Sequence, residues 1–346
     1  MIILMATFRT QSGPPSPALI FETFNAYQRS GALQAAIQLD LFTAIAEGNQ
    51  TVPDIAKRIG ASEKGARVLC DYLTVIGFLT KDNSQYGLTP DSAFFLDRRA
   101  PAYMGATAVF LGELEDRIAA FKDIASAVRK GGTTMPGAGS MDPEHPMWVT
   151  FARSMAPMMA MPAELIAKMI GAPEGRPSRV LDIAAGHGLF GISIGRQNPN
   201  AHIVALDWAP VLEVAKENAA KAGIAERYSL LAGSAFDVDL GGDYDVALLT
   251  NFLHHFNKET CEVLLRRIHG AMKPGGVVAT LEFIPNEDRV SPPVAATFSM
   301  MMLATTLDGD AYTFGQFDEM FRNAGFSRNE LKEMTPLPER VVLSYK

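Results

Sequence analysis

The densest run of chemistry-bearing residues is Val180-Leu181-Asp182-Ile183-Ala184-Ala185-Gly186-His187-Gly188. An apolar strand signal takes in one acid, small residues make a turn, and a helical pattern opens. Glycines there let backbone approach a ligand at the helix N-terminus. A second apolar run, Ile203–Asp207, ends in a carboxylate 21 residues past Gly186. That carboxylate can accept both hydroxyls of a ribose. Gly186, Gly188 and Gly191 also spell G-x-G-x-x-G, the spacing of a dinucleotide site. Asp182 tips the balance. A pyrophosphate at this turn would be repelled by its carboxylate, whereas a ligand with an amino group and a cationic centre would be attracted.

S-adenosylmethionine has both groups, so it is the expected cofactor. A nicotinamide-dependent oxidoreductase is the lesser alternative. The two Cys, Cys70 and Cys261, lie far apart without metal-ligand spacing, so no metal is expected.

These residues need a sheet to hold them. After Arg179, apolar runs alternate with helical periods. Strands are predicted at 180–183, 203–207, 229–232, 246–251, 277–283, 329–333 and 341–345, and helices at 188–197, 210–223, 259–272 and 314–324. Alternation with nearly continuous apolar strands implies a mostly parallel sheet covered on both faces. Thr313 and Gln316 have capping-box spacing. Upstream, residues 105–130 read as helix. A further helix is predicted over 147–170, kinked or broken by Pro157 and Pro162.

The N-terminal part reads differently. Thr51 and Asp54 open one helix, Gly60 ends it, and a second runs over 62–76. Two extended runs flank Asp82-Asn83-Ser84, a hairpin signal. Helix, turn, helix, hairpin is a winged-helix layout. Between Ala35 and Arg99 stand seven Lys+Arg and eight Asp+Glu, which is not the footprint of a nucleic-acid binder. The apolar face near Ala32–Ile45 reads instead as a dimer surface. The expected division is a flexible lead-in at 1–17, a winged-helix dimerisation domain at 18–104, connecting helices contributing to the substrate pocket at 105–170, and a cofactor-binding domain at 171–346.

The chain has 346 residues, a net charge of −7 and 48% hydrophobic residues. This length allows about two domains at ~150 residues each, and the composition excludes intrinsic disorder. No run approaches the ~18 apolar residues of a membrane span, and the five-residue apolar start lacks signal-peptide flanks. A cytoplasmic protein without membrane or nucleic-acid partners is expected. Met is abundant and clustered, at Met155, Met158, Met159 and Met161 and again at Met300, Met301 and Met302. Such clusters suit a pliable apolar wall.

From about residue 20 onward, this order of elements and motifs resembles the class I S-adenosylmethionine-dependent small-molecule O-methyltransferases of the caffeic acid, acetylserotonin and hydroxyneurosporene type. That resemblance implies a winged-helix dimerisation domain ahead of a Rossmann-like α/β domain with a seven-stranded sheet, and a homodimer. It implies methyl transfer to a hydroxyl of a small aromatic or polyketide-like molecule. C- or N-methylation, or non-methylating chemistry, are alternatives on the same fold.

The resemblance also implies site roles. Asp182, Ala184, Gly186 and Gly188 would hold the methionine part of the cofactor, Asp207 the ribose, and Trp208 the adenine. Ser234, Ala235 and Phe236 match the family's G-D-x-F segment, with Ser234 in place of its Asp, and Asn251 is placed beside the cofactor. His254, in Leu253-His254-His255-Phe256, matches the general base, and Glu282, 28 residues on, its orienting carboxylate. Phe151, Met155, His255, Phe298, Met301, Met302 and Tyr312 would line the acceptor. The family's second carboxylate, in a G-x-E-R-T segment, is Ala311 here, flanked by Asp310 and Tyr312.

Overall fold

A computed structural model describes residues 15–113, 115–136 and 147–346. The first 14 residues of the predicted lead-in and residues 137–146, a Gly- and Pro-rich stretch that reads as a loop, lie outside the described residues. The described residues form two compact units, one over residues 15–113 and one over 115–346.

The first unit is α1 (Ala18–Phe24), α2 (Tyr27–Gln38), α3 (Leu41–Ala46), α4 (Val52–Ile59), α5 (Glu63–Val75), the strands β1 (Leu79–Asp82) and β2 (Gln85–Leu88), α6 (Pro90–Phe95) and α7 (Gly105–Glu113). Capping starts the helices where the sequence places them. The Thr51 hydroxyl accepts from the Asp54 amide, and the Ser62 hydroxyl from that of Gly65. The predicted hairpin is present, with Leu79 opposite Leu88. Much of the predicted dimer face turns inward, although Ala32, Leu33 and Ala35 stay half-buried. Asp40 adopts a left-handed conformation, which turns the chain and sends Leu41, Phe42 and Ile45 into the unit's own core with Ile55, Cys70, Leu73 and Tyr86. A run of exposed apolar residues sits on α1 and just after it: Leu19, Ile20, Phe21, Phe24 and Tyr27.

The second unit begins with α8 (Glu115–Lys122), α9 (Ile124–Lys130) and α10 (Met147–Met169). The predicted helix over 105–130 is therefore in pieces. One break is at Asp123, whose backbone leaves helical geometry (φ −122°, ψ 43°). Conversely, α10 runs 23 residues through Pro157 and Pro162 without dividing. An interior proline costs ~3 kcal/mol or more. Burial of Met155, Met159, Pro162, Ala163 and Ile166 along this helix opposes that cost.

There follow β3 (Ser178–Ile183), α11 (Leu189–Gln197), β4 (Ala201–Asp207), α12 (Ala209–Lys221), β5 (Tyr228–Ala232), β6 (Tyr244–Thr250), α13 (Lys258–Ala271), β7 (Met272–Glu282), α14 (Pro293–Thr305), α15 (Phe314–Asn323), β8 (Arg328–Glu333) and β9 (Arg340–Tyr345). All seven predicted strands are present. Their order is β5-β4-β3-β6-β7-β9-β8, parallel except for β9, which runs antiparallel between β7 and β8. The predicted capping box at Thr313 and Gln316 forms in full. Helix α14 has no counterpart in the sequence reading, because PVAATFSMMMLAT is apolar all round and shows no 3.6-residue period. The chain reverses direction across the sheet between β3 and β6. Sheets of this class take ligands outside the carboxyl ends of the strands at such a switch point.

Candidate active site

Four strand ends bring the candidate residues to one edge of the sheet. From β3 comes Asp182, wholly buried. Its Oδ2 accepts the Gly191 amide at 3.0 Å, while its Oδ1 is buried with no hydrogen-bond partner. Burial pushes its carboxyl up to about 7, against the pull of the Gly191 N–H, and the nearby Asp207 charge adds to the rise. From β4 comes Asp207. Its Oδ2 accepts the Gly186 amide at 2.8 Å and its Oδ1 the Trp208 amide at 2.7 Å. Burial lifts its carboxyl to about 6.

Between them, Ala184, Gly186 and Gly188 take left-handed φ values of 54°, 57° and 75°. Only the last two carry no penalty for it. A Cβ at Gly186 would meet nothing closer than the Ala184 carbonyl at 3.9 Å, so the turn is open there. At Gly191 a Cβ would collide with Ile203 and Asp182. This third glycine of the G-x-G-x-x-G run therefore serves helix–strand packing. The first-turn amides of α11 are also engaged from within. Gly191 donates to Asp182, and Leu189 donates to His187 Nδ1 at 3.1 Å. Burial drives His187 down to about 4, so its ring is a neutral cap. A helix end occupied in this way is poorly suited to a pyrophosphate. The two carboxylates with raised pKa values and the orphaned Asp182 Oδ1 call for N–H or O–H donors and positive charge. That donor demand fits an amino group and a ribose.

The second cluster gathers around β6 and β7. Glu282, at the end of β7, is almost fully buried. Its Oε1 accepts the amides of Phe252, Leu253 and His254 at 3.0, 2.8 and 3.4 Å, and so organises the short 3-10 turn Leu253–His255. Its Oε2 lies 2.5 Å from His254 Nδ1. The predicted pair is thus in hydrogen-bond contact. Asn251, just past β6, is left-handed (φ 52°). Its Nδ2 contacts Met159 Sδ of α10 at 3.7 Å, and its Oδ1 is buried without a partner.

Aromatic rings extend from this pair. His254 meets Phe298 edge-on at 4.9 Å, and Phe298 stacks on Phe283 at 4.2 Å. On the other side His255 lies 4.3 Å from His254 and 6.1 Å from Trp148, which meets Phe151 at 5.8 Å. Trp148 and Val149 of α10 also pack with Trp208, Val211 and Val214. That cluster brings the α10 segment of the expected acceptor wall against the Asp207 edge.

Met155, Met159 and Met302 are buried, whereas Met161 and Met300 face solvent. The Met clusters therefore divide between interior and surface. Ala235 is buried and Phe236 packs on Phe256 at 5.1 Å. The Ser234 hydroxyl accepts the Phe236 amide. Tyr312 commits its hydroxyl to the Phe256 carbonyl at 2.6 Å and is buried against Phe317. Asp310 pairs with Arg289 at 3.2 Å. Sequence reasoning did not single out Trp148 or Phe283. Phe283 could have been found as the residue after Glu282, whereas no motif marks Trp148. Among the described residues no cluster of His, Cys, Asp and Glu could hold a metal ion, and no helix is long and apolar enough to cross a membrane.

Comparison with known proteins agrees with this architecture. Residues 147–327 match the model of the O-methyltransferase domain, and residues 21–98 match that of the O-methyltransferase dimerisation domain. The chain is 27% identical over 317 residues to 3-hydroxy-5-methyl-1-naphthoate 3-O-methyltransferase of Streptomyces sahachiroi, with 90% of each chain covered. Its fold superposes with a TM-score of 0.93 on a Nostoc punctiforme protein assigned as an O-methyltransferase, at 52% identity over 96% of this chain and 100% of the other. Human N-acetylserotonin methyltransferase in complex with SAM shares the fold at TM-score 0.82 and 23% identity, over 97% and 99% of the two chains. These matches set aside the oxidoreductase alternative. The chain belongs to the O-methyltransferase family and carries that family's dimerisation domain ahead of its methyltransferase domain.

Proposed function

We propose that this protein moves the methyl group of S-adenosylmethionine to a hydroxyl of a small aromatic or polyketide-like acceptor, with His254 as general base. The observation that carries this reading is the contact between His254 Nδ1 and Glu282 Oε2 at the ligand edge of the sheet. A carboxylate that accepts from Nδ1–H fixes the ring tautomer and leaves the Nε2 lone pair to take a proton. A phenol titrates near 10 and a free imidazole near 6.5. Proton transfer therefore needs the oriented, carboxylate-supported ring. Such help is worth ~10²–10⁴-fold, and holding the reactants together supplies much of the remainder.

When bound, S-adenosylmethionine supplies an already activated methyl group. Asp182 and the Ala184–Gly188 turn would hold its amino-acid end, and Asp207 its ribose hydroxyls. Trp208, Ser234, Ala235 and Phe236 would border the adenine, and Asn251 would lie beside the cofactor. His254 receives the acceptor's hydroxyl proton at Nε2, and Glu282 faces the resulting imidazolium. Phe151, Met155, His255, Phe298, Met301 and Met302 would form the acceptor wall. Tyr312, with its hydroxyl committed, would contribute its ring. Flat rings at edge and stacking distances favour a planar acceptor. The naphthoate and acetylserotonin after which two relatives are named are of that kind.

The chain would act as a homodimer through its first unit, using the exposed apolar residues of α1. A reducing, cytoplasmic setting agrees with its two buried free thiols. Labelled cofactor offered with a panel of phenols, naphthols and polyketide-derived hydroxyarenes tests the reading. Labelled methyl ether from a panel member supports it. Cofactor binding without any methylated product refutes the acceptor class, and failure to bind refutes the cofactor.

A further inference from the structure

Residues 306–309, just after α14, have no role in the chemistry above, yet they lie against the backbone of the proposed base. A Cβ built on Gly309 would sit 2.2 Å from the His254 carbonyl oxygen, 2.6 Å from the Thr306 hydroxyl and 3.0 Å from the His255 carbonyl carbon. The first and last are backbone atoms of the 3-10 turn that Glu282 holds by three amides.

The loop itself is fixed from behind. Buried Thr306 donates its hydroxyl to the Met302 carbonyl at 2.7 Å and accepts the Gly309 amide at 2.9 Å. Its carbonyl accepts the Thr133 amide at 2.8 Å. A Cβ at Gly132 would fall 2.0 Å from the Leu307 carbonyl oxygen, so the loop is pressed from that side too. Further along, the Tyr312 hydroxyl ties the same segment to the Phe256 carbonyl, just past the His254 turn.

We infer that Gly309 is a positioning residue for His254. Its bare backbone seats the 306–312 segment on the histidine turn and braces the turn at its carbonyls, while Glu282 holds it at its amides. This inference rests on the reading of His254 as base. A methyl group at 309 has to be accommodated by movement of one neighbour. The Thr306 side is tied into α14 and to Thr133. The displacement therefore falls on the His254 turn, and with it on the contact between His254 Nδ1 and Glu282 Oε2.

The test is a double-mutant cycle on the full chain with Gly309→Ala and His254→Ala, with Gly270→Ala as control. Gly270 lies on α13, where a Cβ meets nothing within 4 Å. The expected result is that Gly309→Ala lowers kcat by about tenfold or more with cofactor affinity within about twofold. It should also displace the acid limb of the pH–rate profile. In the His254→Ala background, Gly309→Ala should cost nothing further, because its effect passes through a side chain already removed. Gly270→Ala should leave kcat and the pH profile unchanged.

An equal loss in both backgrounds would overturn the inference and make Gly309 merely structural, as would full activity of Gly309→Ala. Full activity of His254→Ala would remove the base reading and this inference with it. An inactive His254→Ala beside a normal Gly309→Ala overturns the inference alone. If Gly309→Ala fails to fold, Thr306→Ala, which removes the acceptor of the Gly309 amide and loosens the same seat, takes its place: it should lower kcat and displace the acid limb in the wild-type background and cost nothing further beside His254→Ala. An equal loss in both backgrounds, or full activity of Thr306→Ala, overturns the inference.

Discussion

Glu282 holds His254 at two points, the ring Nδ1 at 2.5 Å through Oε2 and the backbone amide at 3.4 Å through Oε1. One buried carboxylate therefore both shapes the turn that presents the histidine and fixes its ring. In Glu282→Gln, the amide oxygen can still accept the backbone amides, but the NH₂ group faces Nδ1 and requires it to accept. The tautomer reverses and Nε2 becomes a donor. We expect a loss in kcat of about 10²-fold or more, with thermal stability close to wild type. Steady-state kinetics beside a melting curve checks both parts. Glu282→Ala should in addition lose stability, by about 1–3 kcal/mol for the donors left unpaired.

Cofactor binding should strengthen as pH rises through the range of the two aspartates. Asp182 titrates at about 7 and Asp207 at about 6 in the free protein. A ligand that brings an ammonium group and hydroxyl donors binds their ionised forms. Affinity should rise between pH 5.5 and 7.5 and level off above, with net proton release on binding below about pH 7. Calorimetry in buffers of different ionisation enthalpy measures that proton. Uptake of a proton, or an affinity independent of pH, would contradict the assignment of these residues.

The same shift makes a stability prediction of definite sign. Asp182 titrates higher folded, at about 7, than at its ordinary value of 3.8. The protonated form is thus favoured by folding. Its contribution is fully present below the ordinary value and is lost as pH rises through about 7. Asp182→Asn should remove this loss. The thermal midpoint of the variant should gain on wild type from pH 5 to pH 8 without cofactor, although the variant binds cofactor poorly. Differential scanning calorimetry at a series of pH values reads the divergence.

Phe298 should separate acceptor recognition from cofactor binding. It touches His254 edge-on and stacks on Phe283. Phe298→Ala should raise the acceptor KM by about two- to tenfold, the equivalent of one aromatic pair of ~0.5–1.5 kcal/mol. The cofactor dissociation constant should be unchanged. A variant that loses both equally would place the ring in general packing.

The first unit should govern the oligomeric state. Phe21 and Phe24 are 62% and 77% exposed on a helix with no buried residue. Phe21→Asp with Phe24→Asp should shift the sedimenting species from two chains to one at micromolar concentration, with far-ultraviolet circular dichroism retained. A wild-type mass of one chain would refute the homodimer.

Much of this molecule was legible in sequence because its signals are local. The Asp182–Gly188 turn, the seven apolar strands and the capping box at Thr313 each lie within a short window. Each has one physical explanation, in turn geometry, burial or amide capping. What escaped depends on packing. Helix α14 is apolar on every side, so periodicity is silent. Prolines 157 and 162 read as breaks, because their cost is local while the burial opposing it comes from other helices. The Ala32–Ile45 face read as a surface until the left-handed Asp40 turned Leu41 and Phe42 inward. Within the candidate site, the pairing of His254 with Glu282 was read from family spacing. The seating of Gly309 on the His254 turn leaves no mark in sequence, since a loop glycine has many possible causes.

The most direct test of the central claim is single-turnover methyl transfer by His254→Ala with saturating cofactor and a phenolic acceptor, followed across pH. Cofactor affinity should stay within about twofold of wild type and the rate should fall by about 10²–10⁴-fold at neutral pH. The rate should recover as pH approaches the acceptor's own pKa, where no base is needed. A variant that turns over at the wild-type rate at neutral pH would contradict that claim, and would leave catalysis to proximity alone.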